Sequence, residues 1–207
     1  MSLTMALQEL KGAVNFTNSL IATAHAQSAS GSYLIPMDQI IFITESAFLK
    51  NFIAWEKFLE QSFLLFLTGE PATTGKIVPT HATPRDLTHA SQMTVGTQKY
   101  VDWANPDIVR RLAKIYFPGG HPFESTISSI NSDLLDLKNI RNASAHISTT
   151  TATALEALAQ RKLQKPSPGI TVYSLLTSPD PASTQGATIL STYQSMLDAA
   201  AVAISLG

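Results

Sequence analysis

Apolar side chains recur three and four residues apart along most of the 207-residue chain, the spacing that lines one face of an α-helix. Leu3, Leu7, Leu10, Val14, Ile21 and Ala24 predict a first amphipathic helix over roughly residues 3–26. It falls within an N-terminal segment, residues 1–30, that closes at the Ser/Gly-rich stretch 28–32. Pro36 sits where a second helix begins, because proline suits the first helical position. That helix runs to about Leu67, with Ile41, Phe48, Phe52, Trp55, Leu59 and Phe66 on its main stripe. Its last turns, Phe63 to Leu67, are apolar on every side and therefore predict deep burial.

Residues 69–98 are rich in Thr, Pro and Gly and read as a long loop insertion with at most a short helix. Asn105 followed by Pro106 gives the next helix a side-chain cap and a proline at its first position, and Pro118-Gly119-Gly120 ends it. A further helix is expected from about Pro122 to Ile147, and another over the Thr-rich stretch that follows, after a cap or kink. Residues 164–169 break the chain, residues 170–176 read as a short extended or irregular piece, and a final helix is expected over 180–205. Ile189, Tyr193, Met196, Leu197 and Ala200 face inward on it. No repeat and no sheet emerge from these patterns. They predict an all-α protein, a single-domain bundle of five to six helices over residues 1–207, with an up-down core at about 38–162.

Composition narrows the class of protein only modestly. An apolar fraction of 44% is that of a globular protein and excludes wholesale disorder. The absence of cysteine removes disulfides, thiolate metal sites and cysteine nucleophiles. A net charge of −1 exerts no global pull towards nucleic acid or anionic lipid. Charge is nevertheless uneven: residues 99–165 hold nine Lys/Arg against six acids, +3, which leaves −4 for the remainder. The segment Ala22–Gln27 mimics a signal-peptidase site, but Glu9, Asn15, Thr17, Asn18 and Ser19 interrupt the apolar run that a signal peptide needs. Charges at positions 45, 50, 56, 57 and 60 likewise forbid a bilayer span in the apolar second helix. A soluble, cytoplasmic protein without membrane contact is the expectation.

Several motifs fail on spacing. Residues 69–76, GEPATTGK, resemble a phosphate-binding loop but have one residue too many between the glycines and Ile77 where a metal-binding hydroxyl belongs, and they follow a helix where that motif follows a strand. His81 and His89 lack the spacing of metal ligands, and no Glu-x-x-His motif of a di-metal bundle occurs. His121 reads as a loop residue. Asn142-Ala143-Ser144 is a glycosylation sequon only on paper.

One motif survives. In residues 134–148, LLDLKNIRNASAHIS, a helical projection puts Arg141 among Ile130, Leu134 and Leu137, where the pattern calls for leucine. Asn142 and His146, four apart, neighbour each other on an adjacent face. Ala143, Ser144 and Ala145 are small and leave room for another backbone or a ligand. Taken alone, the segment also fits a helix end whose histidine is favoured by the helix dipole.

The stretch resembles the signature of the HEPN superfamily, all-α domains in which an arginine is followed after four to six residues by a histidine, with a polar residue commonly next to the arginine. Arg141, Asn142 and His146 match it with a four-residue gap. Residues 52–60, FIAWEKFLE, are similar to the first core helix of the RiboL-PSP-HEPN-like bacterial branch, and the likeness spans roughly residues 38–162. Ser148 stands where HepT-type toxins carry a tyrosine, a departure that removes their tyrosine-based mode of control.

The resemblance implies a metal-independent endoribonuclease, a toxin or defence effector whose cleft is shared by a homodimer. It also implies a restraining partner, an antitoxin or a nucleotidyltransferase-type protein, and no cofactor or metal. Arg141, Asn142 and His146 would then be catalytic, with Glu56 and Ser144 in support. Their chemistry suits that role. Histidine titrates near neutrality and serves as base or acid. Arginine offers a permanent, planar charge matched to phosphate oxygens. Five residues of helix separate Arg141 from His146 by about 140° and roughly 7.5 Å, so the pair in one chain diverges and two chains are needed to converge. The alternative is a non-catalytic RNA- or nucleotide-binding module using the same residues.

Overall fold

A computed structural model of the chain describes residues 1–146 and 148–207. Among the described residues the protein is all-α. Its helices are α1 (Leu3–Ala24), α2 (Met37–Leu67), α3 (Leu87–Val95), α4 (Pro106–Tyr116), α5 (Phe123–Ser129), α6 (Asn131–Ala145), α7 (Thr149–Leu163), α8 (Val172–Thr177) and α9 (Ile189–Leu206). A 3-10 turn at Pro118–Gly120 precedes α5. Among the described residues there are nine α-helices where five to six were expected, α3, α5 and α8 being the short ones.

At two of the three boundaries that differ from expectation, side-chain capping is the reason. The expected continuous helix from Pro122 is two helices, because Ile130 leaves helical geometry at φ −115° and ψ 18°. There the Ile130 amide turns back to the Ser128 carbonyl, and the Ser129 hydroxyl donates to the Thr126 carbonyl. The expected end of that helix at Ile147 lies outside the described residues. Residues 172–177 are helical where an extended piece was expected, since Thr171 Oγ1 accepts the Ser174 amide at 3.1 Å and caps a turn. The last helix starts at Ile189, not near 180. Asp180 accepts the Ala182 amide, Ser183 accepts that of Ala187, and Thr188 caps α9 through the Ser191 amide.

The chain divides into two compact units. The first comprises Met1–Lys11, Ala54–Leu135 and Met196–Gly207. Its centre is Phe63, fully buried, with ring centroids of Phe117 at 4.9 Å, Phe123 at 5.1 Å and Trp103 at 5.4 Å. The Asn105 side chain caps α4 as expected, accepting the Asp107 amide. Gly120 turns the chain at φ +77°, and a Cβ there would lie 2.7 Å from that of Glu124. The close approach leaves Glu124 in a fork from Arg110 (2.9 and 3.1 Å), with Lys114 at 3.1 Å. The loop that resembled a phosphate cradle serves instead to cap α9. Thr73, Thr74 and Lys76 donate to the carbonyls of Ser205, Leu206 and Gly207, the orphan acceptors at the end of that helix. By length and composition α9 could cross a membrane, and its Ile189, Tyr193, Ala201 and Ile204 are buried within the protein.

The second unit comprises Gly12–Ile53 and Asp136–Ser195. Ile40, Phe48 and Phe52 of α2 and Leu155, Leu158 and Ala159 of α7 are buried in it. Thr17 of α1 donates to buried Asn51 of α2. His25, at the end of α1, meets the Tyr173 hydroxyl through Nε2 at 3.2 Å, and Glu45 accepts the Tyr173 amide.

The hydrogen bonds from Arg110 hold the Glu124 carboxyl below its ordinary range. A carboxyl depressed in the folded state adds stability above its unfolded value of 4.5, and that stability is lost as pH falls through the folded value. Glu124→Gln is therefore expected to melt at a lower temperature than the wild type at pH 7. The gap should close progressively below about pH 4.5, in thermal melts followed by circular dichroism.

Candidate functional site

The motif lies on α6 and on the joint that follows it. Leu134, Leu137 and Ile140 of α6 are buried, and Arg141 shares their side of the helix, half-buried. A guanidinium so placed needs a counter-charge or an anion, since partial desolvation raises the cost of an uncompensated charge. Its hydrogen bond goes to the neighbouring Asn142 Oδ1, long at 3.3 Å, and among the described residues no carboxylate of its own unit pairs with it.

Four of the five acids of that unit are committed elsewhere. Asp136 is buried and takes Arg161, Lys162 at 3.5 Å and the Tyr193 hydroxyl at 3.4 Å. Glu156 accepts the Gly169 amide at 2.7 Å, Glu45 that of Tyr173 and Asp180 that of Ala182. Asp38 is exposed in the first turn of α2. Arg110 in the first unit is half-buried to a similar degree and has both Glu124 and Asp107. Arg141 differs from it in lacking such partners among the described residues of its unit.

His146 stands one residue past the end of α6 and is exposed. Its backbone is held on both sides: its amide donates to the Asn142 carbonyl at 2.9 Å, and its carbonyl accepts from Thr151 Oγ1 at 2.7 Å. Thr151 belongs to a capping box with Ser148, in which each side chain accepts the other's amide (3.2 and 3.0 Å) and so starts α7. Ser148 thus occupies the cap of α7, a post for which serine suits and tyrosine does not. Among the described residues no hydrogen bond or ion pair engages the His146 ring. The joint fixes the backbone and leaves the imidazole available.

The structure brings Arg141 and Asn142 into contact and ties the His146 backbone to Asn142. Ser144 faces the buried side of α6, with its Oγ enclosed and without a hydrogen-bond partner among the described residues. Glu56 is half-buried on α2 and belongs to the first unit, whereas Arg141 belongs to the second. Among the described residues no group of three His, Asp or Glu side chains is placed to hold a metal ion. No protein-family model matches the chain, and neither does any curated protein or solved structure.

Two residues that position the site were not among the candidates. Thr151 is signalled in retrospect by the Ser-x-x-Thr spacing at the head of α7. Asp136 fastens α6 to α7 five residues before Arg141, and its only signal was an acid on an otherwise apolar seam. Removing it strands Arg161 and Lys162. Asp136→Ala should therefore cost about 2 kcal/mol, less than for two fully buried ions because the Arg161 side chain is 61% exposed and rehydrates. Urea denaturation of the two proteins measures it, and an unchanged midpoint would show that α6 does not depend on this anchor.

Proposed function

We propose that the chain is a HEPN-type metal-independent endoribonuclease, a toxin or defence effector of the cytoplasm, in which Arg141 and His146 of two identical chains share one cleft. The half-buried Arg141 guanidinium, with no carboxylate of its own unit beside it, is the observation that carries this reading. A phosphate diester supplies the missing charge, and the guanidinium fork matches its oxygens. An unengaged imidazole on a fixed backbone supplies the proton chemistry.

In the proposed reaction the 2′-hydroxyl gives its proton to one His146 imidazole while its oxygen attacks phosphorus. The bond from phosphorus to the 5′-oxygen breaks, and that oxygen takes a proton from an imidazolium. The product is a 2′,3′-cyclic phosphate. Arg141 stabilises the charge gathering on the phosphorane, and the Asn142 amide orients phosphate or imidazole. Because Arg141 and His146 diverge by about 140° along one helix, a two-fold crossing at the last turn of α6, eased by Ala143 and Ala145, lets one chain's arginine meet the other's histidine. The reading also supposes a helical-bundle architecture of the HEPN type and a partner protein that restrains the enzyme.

Cleavage of single-stranded or tRNA-like RNA should persist in excess chelator; activity lost in EDTA and restored by Mg²⁺ would reject the mechanism. His146→Ala is expected to slow cleavage by about 10² or more while RNA binding survives. Asn142→Ala should have the smaller effect.

A mixed dimer tests the shared cleft. Arg141→Ala and His146→Ala chains, co-expressed under different tags and purified together, still bring one arginine and one histidine to a common site. Partial recovery of the wild-type rate is expected over either mutant homodimer. A folded mixed dimer as inactive as its parents counts against pooling, and a monomeric wild-type chain that cleaves RNA excludes it.

A further inference from the structure

We infer that Glu45, Tyr33, Tyr173 and His25 form a binding site for a protonated alkyl amine, a ligand the ribonuclease reading does not call for. Tyr173 joins the parts. Its amide donates to Glu45 Oε1 at 3.0 Å, and its hydroxyl lies 3.2 Å from His25 Nε2. His25 Nδ1 is 2.9 Å from the Ile21 carbonyl, which can only accept. In the neutral ring Nδ1 therefore carries the proton, and Nε2 accepts from Tyr173. Burial, and after it the nearness of Tyr33, hold the Tyr173 hydroxyl above its ordinary range and keep it a donor. The His25 and Tyr173 rings are 9° from parallel, with centroids 6.0 Å apart. At that separation face-to-face stacking is lost, and a hydrogen bond in the imidazole plane sets the two rings edge to edge as one flat floor. Tyr33 stands upright to it, its ring at 84° to that of His25 and 6.2 Å away.

Charge and lining together suit this corner to a cation. Glu45 is half-buried, and among the described residues no hydrogen bond engages its Oε2 and no ion pair its charge. Residues 12–49 and 166–195, which contain all four side chains, hold no lysine or arginine but carry Asp38, Glu45 and Asp180. An anionic ligand would be repelled there. Tyr33 is 41% exposed, and His25 and Tyr173 are half-buried, so the corner is open to a small ligand. A floor and a wall of ring faces attract a cation through their quadrupoles and shelter the alkyl stem behind it. The spare carboxylate oxygen accepts an N–H bond, which favours a primary ammonium over a quaternary one. Free polyamines and lysine side chains both carry such a head.

The test uses the full chain at physiological ionic strength, n-butylammonium chloride as the probe, and the ring NMR signals of His25, Tyr33 and Tyr173 as the readout. These signals should move saturably with n-butylammonium and not with sodium chloride. Glu45→Gln keeps an oxygen for the Tyr173 amide and removes the charge, so it should weaken binding about tenfold. Tyr33→Leu should weaken it about fivefold without changing the melting temperature, since Tyr33 is exposed. Tyr33→Phe keeps the ring face and should bind like the wild type. Spermidine and Nα-acetyl-lysine amide then separate the two sources. Tighter binding of spermidine marks a free polyamine, and equal or weaker binding marks a lysine side chain. Rings that do not respond to n-butylammonium, or an affinity unchanged in Tyr33→Leu, overturn the inference. So does an unchanged affinity in a folded Glu45→Gln protein. None of these outcomes involves RNA cleavage, so the ribonuclease reading stands or falls separately.

Discussion

Burial of the aromatic stripe on α2 is the constraint on which the rest depends. Phe48, Phe52, Trp55, Phe58, Phe63 and Phe66 are all nearly inaccessible, and each such side chain is worth about 2 kcal/mol on leaving water. A helix of 31 residues that must hide one long face recruits apolar faces along its whole length. Its N-terminal half is buried in the unit of Gly12–Ile53 and Asp136–Ser195, and its C-terminal half in the unit of Met1–Lys11, Ala54–Leu135 and Met196–Gly207. Two polar inserts in that face are satisfied locally, Thr44 donating to Ile40 and Ser62 to Leu59; Asn51 Oδ1 accepts from Thr17 of α1, while its buried Nδ2 has no partner among the described residues. Apolar demand and local polar satisfaction together leave few places for a charge.

Arg141 occupies one of those places. The same unit carries six Lys/Arg and five acids, so bulk charge alone would let each acid find a cation. Geometry divides them differently. Backbone amides at loop and helix starts claim Glu45, Glu156 and Asp180, while Asp136 takes two cations at once. Those bonds close turns and fasten α6 to α7. The fold thereby commits four of the unit's five acids, the fifth being exposed Asp38, and among the described residues none of them pairs with Arg141. Substituting leucine would complete the seam of Leu134, Leu137 and Ile140 and gain apolar burial. An arginine kept at that cost is better explained by what it binds than by what it packs against.

Long periodic elements were legible in the residues, and so was the seam position of Arg141. α1, α2 and α4 follow from the spacing of Leu, Phe and Ile and from the Asn105-Pro106 start, all local signals of ample length. Two of the missed boundaries turn on single side-chain bonds. Nothing in the apolar pattern marks Ile130 as a break, where its amide turns back to the Ser128 carbonyl. The six-residue α8 is too short for periodicity and depends on the Thr171 cap. The onset of α9 is set by a closed turn of Asp180, Ser183 and Thr188, whose residues also tolerate a helix start. In the site, residue chemistry was readable while the ties of the His146 backbone were not. They depend on Thr151, five residues on, whose hydroxyl bonds the His146 carbonyl across the joint.

If the motif is the catalyst proposed above, that joint bears on how it would work. An imidazole inside a helix would be carried rigidly on one face, and one on a free loop would have to be ordered afresh in each encounter. His146 has its amide and carbonyl bound, so little backbone entropy remains to be lost, yet its ring keeps the rotamers needed to receive a proton at one step and deliver it at another. Arg141 is the opposite case: a half-buried guanidinium on a packed seam is already oriented and partly desolvated, which strengthens its pull on a phosphate. A fixed clamp and an adjustable proton carrier are useful only where they meet. On an ideal helix the spacing of Arg141 and His146 would set them about 140° apart, against their meeting within one chain. On the proposed reading, the order of residues in the motif, more than any single contact, is what would make a second chain part of the site.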